Sequence, residues 1–205
     1  MTKAIEKRRL QLLELARHQG GHFTAAQAAA CGFDNANQFR YVGDGRWERV
    51  RRGIFRLASE PISPQADLHI ISLFLRRRDG RFGGVFGLET AAQIYGLGDF
   101  MPSSIHVLVA GRLRKRAELP PELVLSRSGD LTTEVQVIDG LPVTSTLRTI
   151  ADLLAAPDRD HEEVRRAFLE GRRGGLISAD KLQSMDQWLS SEISATIRNW
   201  KVGTR

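Results

Sequence analysis

Cysteine is nearly missing from this sequence, since Cys31 is the only one among 205 residues. A single thiol excludes an internal disulfide and a cysteine-based metal cluster, and it predicts a reducing compartment, the cytoplasm. The five histidines are scattered without the spacing of a metal site, so no metal and no cofactor is expected. No apolar run approaches the roughly 18 residues of a membrane-spanning helix, which predicts a protein that is not embedded in a membrane.

Acidic residues balance the basic ones over most of the chain but not at its N-terminal end. Residues 1–60 hold 11 lysines and arginines against 6 acidic residues, whereas residues 61–205 hold 19 against 18. Most of the formal net charge of +6 therefore belongs to the first third of the chain. A basic region on a near-neutral body is typical of nucleic-acid binding, although a site for a membrane surface or an acidic protein would show the same imbalance.

The first third has the pattern of a helix-turn-helix. Apolar residues recur at helical spacing over residues 3–19, and two glycines end this first helix. Thr24 is placed to cap a short alanine-rich helix, Gly32 to form the left-handed turn after it, and Asp34 to cap a second helix. Two short helices that meet at a glycine turn favour a DNA-binding unit, but such pairs also occur as plain packing elements.

The second helix of this pair is predicted to be a recognition helix. If Phe39 and Val42 face the core, the helical period turns four hydrogen-bonding side chains outward. These predicted base-reading residues are Asn37, Gln38, Arg40 and Tyr41. Amide side chains pair with adenine and arginine pairs with guanine in a major groove, which favours DNA recognition. The alternative is a solvated polar face.

An arginine-rich hairpin follows directly, in the stretch RWERVRRGIFRL at residues 46–57. WERV and IFRL are predicted as two short strands, and Gly53 suits the turn between them because glycine tolerates a positive φ. A hairpin after a helix-turn-helix predicts a winged helix whose wing contacts phosphates. The predicted phosphate clamp is Arg49, Arg51 and Arg52, with Arg46 and Arg56 at its flanks. The alternative is that the arginines protect an exposed strand edge from aggregation.

The rest of the chain mixes helical and strand-like segments. A stretch with two prolines and no periodicity predicts a linker at residues 59–65. The predicted fold class is α+β, with an N-terminal winged helix-turn-helix domain at residues 1–58 and a mixed α/β C-terminal domain at residues 66–205.

Several of these segments together resemble a known family. The segments are LLELARHQGGHFTAAQAAACGF, RVRRGIFRL, GLETAAQIYGL, IHVLVAGRLRKR and VIDGLPVTSTLRTIADLLA. In this order they are similar to the AbiEi-type antitoxins of type IV toxin-antitoxin systems, which are associated with abortive phage infection. The resemblance extends over roughly residues 8–175. It implies a regulator that binds inverted repeats in its own promoter, on double-stranded DNA, and a nucleotidyltransferase-like toxin as a second partner.

A second basic cluster lies in the C-terminal part, between two predicted strands. Its members are Arg112, Arg114, Lys115 and Arg116. They could extend the DNA footprint or receive an acidic toxin surface, but a solvated loop is the favoured interpretation of such a run. The sequence identifies no surface for self-association.

A magnesium-dependent nuclease is the remote alternative. Asp130, Glu134 and Asp139 lie close together in the sequence, and such an enzyme needs two or three acids, commonly with a lysine. No lysine follows Glu134 at a suitable spacing, and the chain contains no Walker loop and no G-x-S-x-G motif. We therefore predict no catalytic residues. The main alternative to DNA binding is a protein-binding antitoxin that neutralises its toxin through residues 66–205.

Overall fold

The computed structural model describes residues 2–111, 119–129, 131, 133–157 and 159–202. It has the predicted α+β architecture, with a winged helix-turn-helix at the N-terminus and a mixed sheet with helices after it. The chain falls into two compact units, Met1–Gly84 with Val137–Pro142 and Val85–Gln136 with Val143–Arg205. Within the described ranges, no helix combines the length and the apolar character that crossing a membrane requires.

The first unit opens with the winged helix. Its elements in chain order are α1 (Thr2–Arg17), β1 (His22–Thr24), α2 (Ala25–Ala30), α3 (Asn35–Gly43), β2 (Trp47–Arg51), β3 (Ile54–Leu57) and α4 (Ala66–Leu75). Strand β3 lies between β1 and β2 in an antiparallel sheet. Helices α2 and α3 form the helix-turn-helix, and strands β2 and β3 form the wing, with Gly53 at a φ of 75° in its turn.

Side-chain caps determine where α2 and α3 begin. The Thr24 hydroxyl accepts a hydrogen bond from the Gln27 amide at 3.1 Å, and the Gln27 side chain accepts one from the Thr24 amide at 2.8 Å. At the start of α3, the Asp34 carboxylate accepts a hydrogen bond from the Asn37 amide at 2.8 Å. Each cap satisfies an amide that has no partner inside its helix. Both caps agree with the sequence prediction.

The wing contains a β-bulge. Arg49 pairs with Phe55, but the next pair joins Arg51 to Ile54, so Val50 is an extra residue on β2. Side chains on a strand alternate between its two faces, and an extra residue interrupts that alternation. The bulge therefore places Arg51 on the face opposite to Arg49.

Aromatic rings fill the core between the helices and the sheet of this unit. The Trp47 ring contacts four others, with centroid distances from 4.7 to 5.9 Å. Those rings belong to Phe23, Phe33, Tyr41 and Phe55. Each large ring removes a great deal of apolar surface from water, so this cluster stabilises the arrangement of α3 and the wing.

Helix α4 contacts strands β1 and β3 of the same sheet. Its apolar residues Ile71, Leu73 and Leu75 are buried. The grouping of α4 with the first unit differs from the predicted domain division, which assigns every residue after 65 to the C-terminal domain. A proline-containing segment interrupts regular structure whether or not a domain ends there, so the pattern alone could not place α4.

The remaining elements form a mixed sheet and the helices that follow it. They are β4 (Val85–Phe86), α5 (Leu88–Tyr95), β5 (Ile105–Val109), β6 (Leu123–Arg127), β7 (Val135–Ile138), β8 (Leu141–Thr144), α6 (Thr146–Ala155), α7 (His161–Arg173), α8 (Ala179–Ser184), a 3₁₀ helix (Met185–Gln187) and α9 (Ser191–Val202). The strand order is β6-β5-β4-β8-β7. Strand β4 is antiparallel to β5 and parallel to β8, and β5 is parallel to β6.

The second unit has its own hydrophobic core. Helix α6 is capped by Ser145, whose hydroxyl accepts a hydrogen bond from the Arg148 amide at 3.3 Å. Its inner face buries Ile150 and Leu153 completely, and Phe168 of α7 packs into the same core. The spacing of these apolar residues is that of an amphipathic helix lying against a core.

Candidate nucleic-acid interface

Helix α3 presents a different face from the one predicted. Phe39 is 76% exposed, whereas Gln38 and Tyr41 are buried, at 5% and 6% exposure. The prediction that Gln38 and Tyr41 project outward while Phe39 faces the core is therefore wrong. The exposed residues of the helix are Asn35, Ala36, Phe39, Arg40 and Gly43.

Hydrogen bonding and ring packing explain this rotation. Gln38 Nε2 donates to the carbonyl oxygens of Ala25, at 3.1 Å, and of Phe33, at 2.9 Å. A buried carbonyl that loses its donor costs roughly 1–3 kcal/mol, so these bonds favour an inward glutamine. One turn later, the Tyr41 ring lies 5.3 Å from that of Phe33 and 5.0 Å from that of Trp47. Gln38 and Tyr41 together fix which face of α3 is buried.

Asn37 and Arg40 belong to a network at the start of α3. Asn37 Nδ2 donates to Asp34 Oδ1 at 2.8 Å, and Asn37 Oδ1 accepts a hydrogen bond from Arg40 Nη2 at 3.1 Å. The bond from the Asn37 backbone amide, followed by that from its side chain, holds the pKa of Asp34 below its usual range. The Asn37 amide is thus committed to its own helix, while Arg40 stays exposed with further donors.

Arg56 is a structural residue of the wing. Its side chain is only 9% exposed, and its Nε and Nη2 donate hydrogen bonds to the Glu48 carboxylate at 3.1 Å and 2.7 Å. Its Nη1 also donates to the carbonyl oxygens of Leu57, at 3.3 Å, and Glu60, at 2.6 Å. The prediction that Arg56 flanks a phosphate clamp is wrong, because Glu48 stands directly opposite it on the neighbouring strand.

Two further arginines of the predicted clamp contact aromatic rings. The guanidinium carbon of Arg51 lies 5.3 Å from the ring centroid of Phe74 on α4, on the sheet face to which the bulge turns it. That of Arg46 lies 5.2 Å from the Tyr41 ring, and Arg46 Nη2 is 3.9 Å from Asp44. A cation over a ring face is attracted by the negative π cloud. The structure therefore separates Arg51 from the exposed face of α3.

Arg49 and Arg52 are the wing arginines that lie beside α3. They line an open groove of about 480 Å³ with Asn35, Phe39 and Val42, and we call it the α3–wing groove. Both arginines are exposed, and within the described part of the chain no hydrogen bond or ion pair engages either guanidinium group. The groove therefore combines two available cations with the outward face of a helix.

Asn35 and Phe39 are exposed α3 residues of this groove that the predicted site does not include. The side chains at positions 39 and 41 point about 200° apart around a helix, so either aromatic residue could have faced the core. The pattern favoured Phe39 because it is the more apolar ring. The signal in the sequence is that Gln38 and Tyr41 are one helical turn apart and so share a face of α3. That face can be buried only if the Gln38 amide has carbonyl oxygens to bond there.

Other predicted residues are placed elsewhere or fall outside the description. The second basic cluster, Arg112, Arg114, Lys115 and Arg116, lies outside the described residues, as does Asp130. The Glu134 carboxylate accepts a hydrogen bond from Ser145 Oγ, and Asp139 lies in a turn with a φ of 49°. Among the residues that the structure describes, no three histidine, cysteine, aspartate or glutamate side chains are grouped to hold a metal ion.

The segment that carries the α3–wing groove has counterparts among known proteins. Residues 10–58 match the family described as "Transcriptional regulator, AbiEi antitoxin". This segment is therefore similar to the AbiEi antitoxin regulators. The AbiEi match runs from within α1 to the end of the wing, so it includes α3, Arg49 and Arg52. It confirms the resemblance for these residues, and no curated protein matches the chain.

Proposed function

We propose that this protein is a transcriptional regulator that binds double-stranded DNA through the α3–wing groove. The observation that carries the proposal is that the available guanidinium groups of Arg49 and Arg52 line the same groove as the outward face of α3. In a winged helix, the recognition helix enters the major groove while the wing contacts the backbone beside it. The AbiEi match over residues 10–58 supports a regulatory role.

The groove gives its residues different tasks. Arg49, Arg52 and Arg40 neutralise phosphates, which supplies affinity without sequence preference. Asn35 lies at the exposed start of α3, where its side-chain amide can pair with an adenine edge. Asn35 thereby takes the task that the sequence assigned to Asn37 and Gln38. The Asn37 amide is bonded to Asp34 at the surface, and the Gln38 amide is bonded to two backbone carbonyl oxygens. The protein acts by binding and carries out no chemistry.

The salt dependence of DNA binding tests this proposal. Changing both Arg49 and Arg52 to alanine should weaken binding to every duplex and reduce the slope of log K against log salt by about 2, since each lost phosphate contact removes ~0.9. Fluorescence anisotropy with a labelled duplex at several salt concentrations measures both quantities.

The matched control removes the same charge elsewhere in the first unit. Arg77 and Arg78 are exposed residues beyond the end of α4, and neither lines the α3–wing groove. Their double alanine variant should keep the slope of the wild type. An equal loss of slope in both double variants would show that net charge, and not the groove, drives binding.

We propose further that the DNA bound is the promoter of the protein's own gene. The resemblance to AbiEi-type regulators over residues 10–58 supports self-repression at inverted repeats. A labelled fragment from upstream of the gene should bind more tightly than a shuffled fragment of the same composition. Equal affinity for the two fragments would contradict this part of the proposal.

Neutralisation of a toxin is a second candidate function, since the description of the matching family joins regulator and antitoxin. We propose that such a partner binds the second unit and leaves the α3–wing groove free. Co-expression with the product of the adjacent gene tests this. If that product arrests growth, the full chain and its Arg49→Ala, Arg52→Ala variant should restore growth equally. Rescue that depends on the two arginines would place neutralisation on the DNA-binding surface instead.

A further inference from the structure

Phe39 is an exposed aromatic side chain on the outward face of α3. Its side chain is 76% exposed, whereas the other rings around the wing, such as Phe23 and Trp47, are almost completely buried. The inward bonds of Gln38 and the packing of Tyr41 hold the helix in this rotation, so Phe39 cannot turn into the core. The Phe39 ring is thus held in a solvent-exposed position at the middle of the outward face of α3.

The surroundings of Phe39 define what it can bind. Arg49 and Arg52 share its groove, Arg40 follows it on the helix, and the small exposed Ala36 lies one turn before it. The ligand must therefore be strongly anionic and must also offer apolar groups to the centre of the helix face. The major groove of duplex DNA meets both demands, because the C5 methyl groups of thymine project from its floor between two rows of phosphates.

We propose that Phe39, with Ala36 beside it, is a specificity-determining residue that contacts thymine methyl groups in the major groove. The inference rests on the proposed function and adds to it the base that is read. An apolar contact to a thymine methyl distinguishes thymine from cytosine at the same position. The preferred sequence should therefore contain thymines at one or two fixed positions of each half-site, where Phe39 meets the groove floor.

Replacement of thymine by deoxyuridine tests the contact, because deoxyuridine lacks only the C5 methyl. A preferred duplex is first selected from a random pool with the full-length protein, and each thymine is then replaced singly. Wild-type protein should lose about fourfold in affinity at one or two positions, which corresponds to ~0.8 kcal/mol per buried carbon and 1.4 kcal/mol per tenfold.

The Phe39→Ala variant completes the test. It should bind the thymine and deoxyuridine duplexes equally and keep the wild-type salt slope, because the phosphate contacts remain. Ile62→Ala is the matched control, since Ile62 is an apolar residue of the same unit that is 71% exposed and does not line the groove. This control should retain the fourfold loss at the same positions.

The possible outcomes separate this inference from the function on which it rests. Selective DNA binding that no deoxyuridine replacement weakens, or a fourfold loss that persists in Phe39→Ala, overturns the role of Phe39 and leaves the regulator intact. A Phe39→Ala variant that reads DNA normally but no longer binds a protein partner also overturns it, in favour of a protein-docking role. Failure to bind any duplex overturns the proposed function itself.

Discussion

The ion pair between Arg56 and Glu48 shows that one acidic residue can give an arginine of a basic segment a structural role. Five arginines and one glutamate, Glu48, occupy residues 46–57. In the structure it holds Arg56 in a bidentate pair on the neighbouring strand, and Arg56 in turn binds two backbone carbonyl oxygens. The same residue type therefore serves folding at position 56 and is available to a ligand at positions 49 and 52.

Replacing Arg56 with alanine should destabilise the protein. The Glu60 carbonyl oxygen would lose the Arg56 donor, and the Leu57 carbonyl oxygen would keep only the Glu60 amide at 3.2 Å, so the expected decrease in the free energy of unfolding is roughly 1–3 kcal/mol. Urea unfolding followed by circular dichroism measures it. The comparison variant Arg52→Ala should change stability by less than about 0.5 kcal/mol, as is usual for exposed positions. Equal stability of the two variants would contradict the structural role of Arg56.

Helix α3 is held to the preceding helix by a polar side chain. Gln38 donates to the carbonyl of Ala25 at the start of α2 and to that of Phe33 in the turn between the two helices. The angle between α2 and α3 therefore depends on the side-chain amide of Gln38. It also explains why a polar residue lies at a position where the helical pattern would place an apolar one.

The Gln38→Ala change should therefore affect stability and leave base preference unchanged. Loss of both hydrogen bonds is expected to lower the free energy of unfolding by roughly 1–3 kcal/mol. At a temperature where the variant is still folded, the ratio of its affinities for a selected and a shuffled duplex should equal that of the wild type. A changed ratio with unchanged stability would show that Gln38 reads bases after all.

Local chemistry made the elements of the winged helix predictable, and tertiary contacts decided their faces. Thr24 and Asp34 predict the starts of α2 and α3, because their side chains cap free backbone amides. Gly53 predicts the turn of the wing, because glycine tolerates the positive φ that this turn requires. The bulge at Val50 leaves no such signal, since any residue can be the extra one, and it moves Arg51 to the other face. Without knowledge of this bulge, the sequence does not show which arginines of the wing are available to a ligand.

Two buried histidines make the stability of the first unit sensitive to acid. His69 is only 4% exposed and His22 only 1%. Burial, followed by the nearby charge of His22, lowers the pKa of His69 to about 4, and burial is also the main cause of the lowered pKa of His22. Both imidazoles are therefore neutral in the folded protein at pH 7, whereas in the unfolded chain they take up protons near pH 6.5.

Acid should therefore destabilise the first unit, because a lowered pKa contributes stability above pH 6.5 that is lost as the pH falls toward 4. For His69 the expected loss between pH 7 and pH 5 is roughly 2 kcal/mol, at 1.36 kcal/mol per pH unit below 6.5. Urea unfolding at the two pH values measures it. The His69→Gln variant cannot titrate at this position and should lose less between them. An identical loss in variant and wild type would exclude His69 as the cause.

The two faces of α3 also affect how such a regulator can change its target. Gln38 and Tyr41, which tie the helix to its surroundings, alternate along the chain with the solvent-facing residues Asn35, Ala36, Phe39 and Arg40. Exchanging these four side chains leaves the hydrogen bonds of Gln38 in place and changes one contact of Tyr41, that of its ring with the Arg40 guanidinium carbon at 5.7 Å. The scaffold therefore tolerates new combinations. Under the proposed function, duplicated copies of the gene can diverge toward different DNA sequences by a few substitutions, and a laboratory library randomised at these codons is a direct route to variants with new targets.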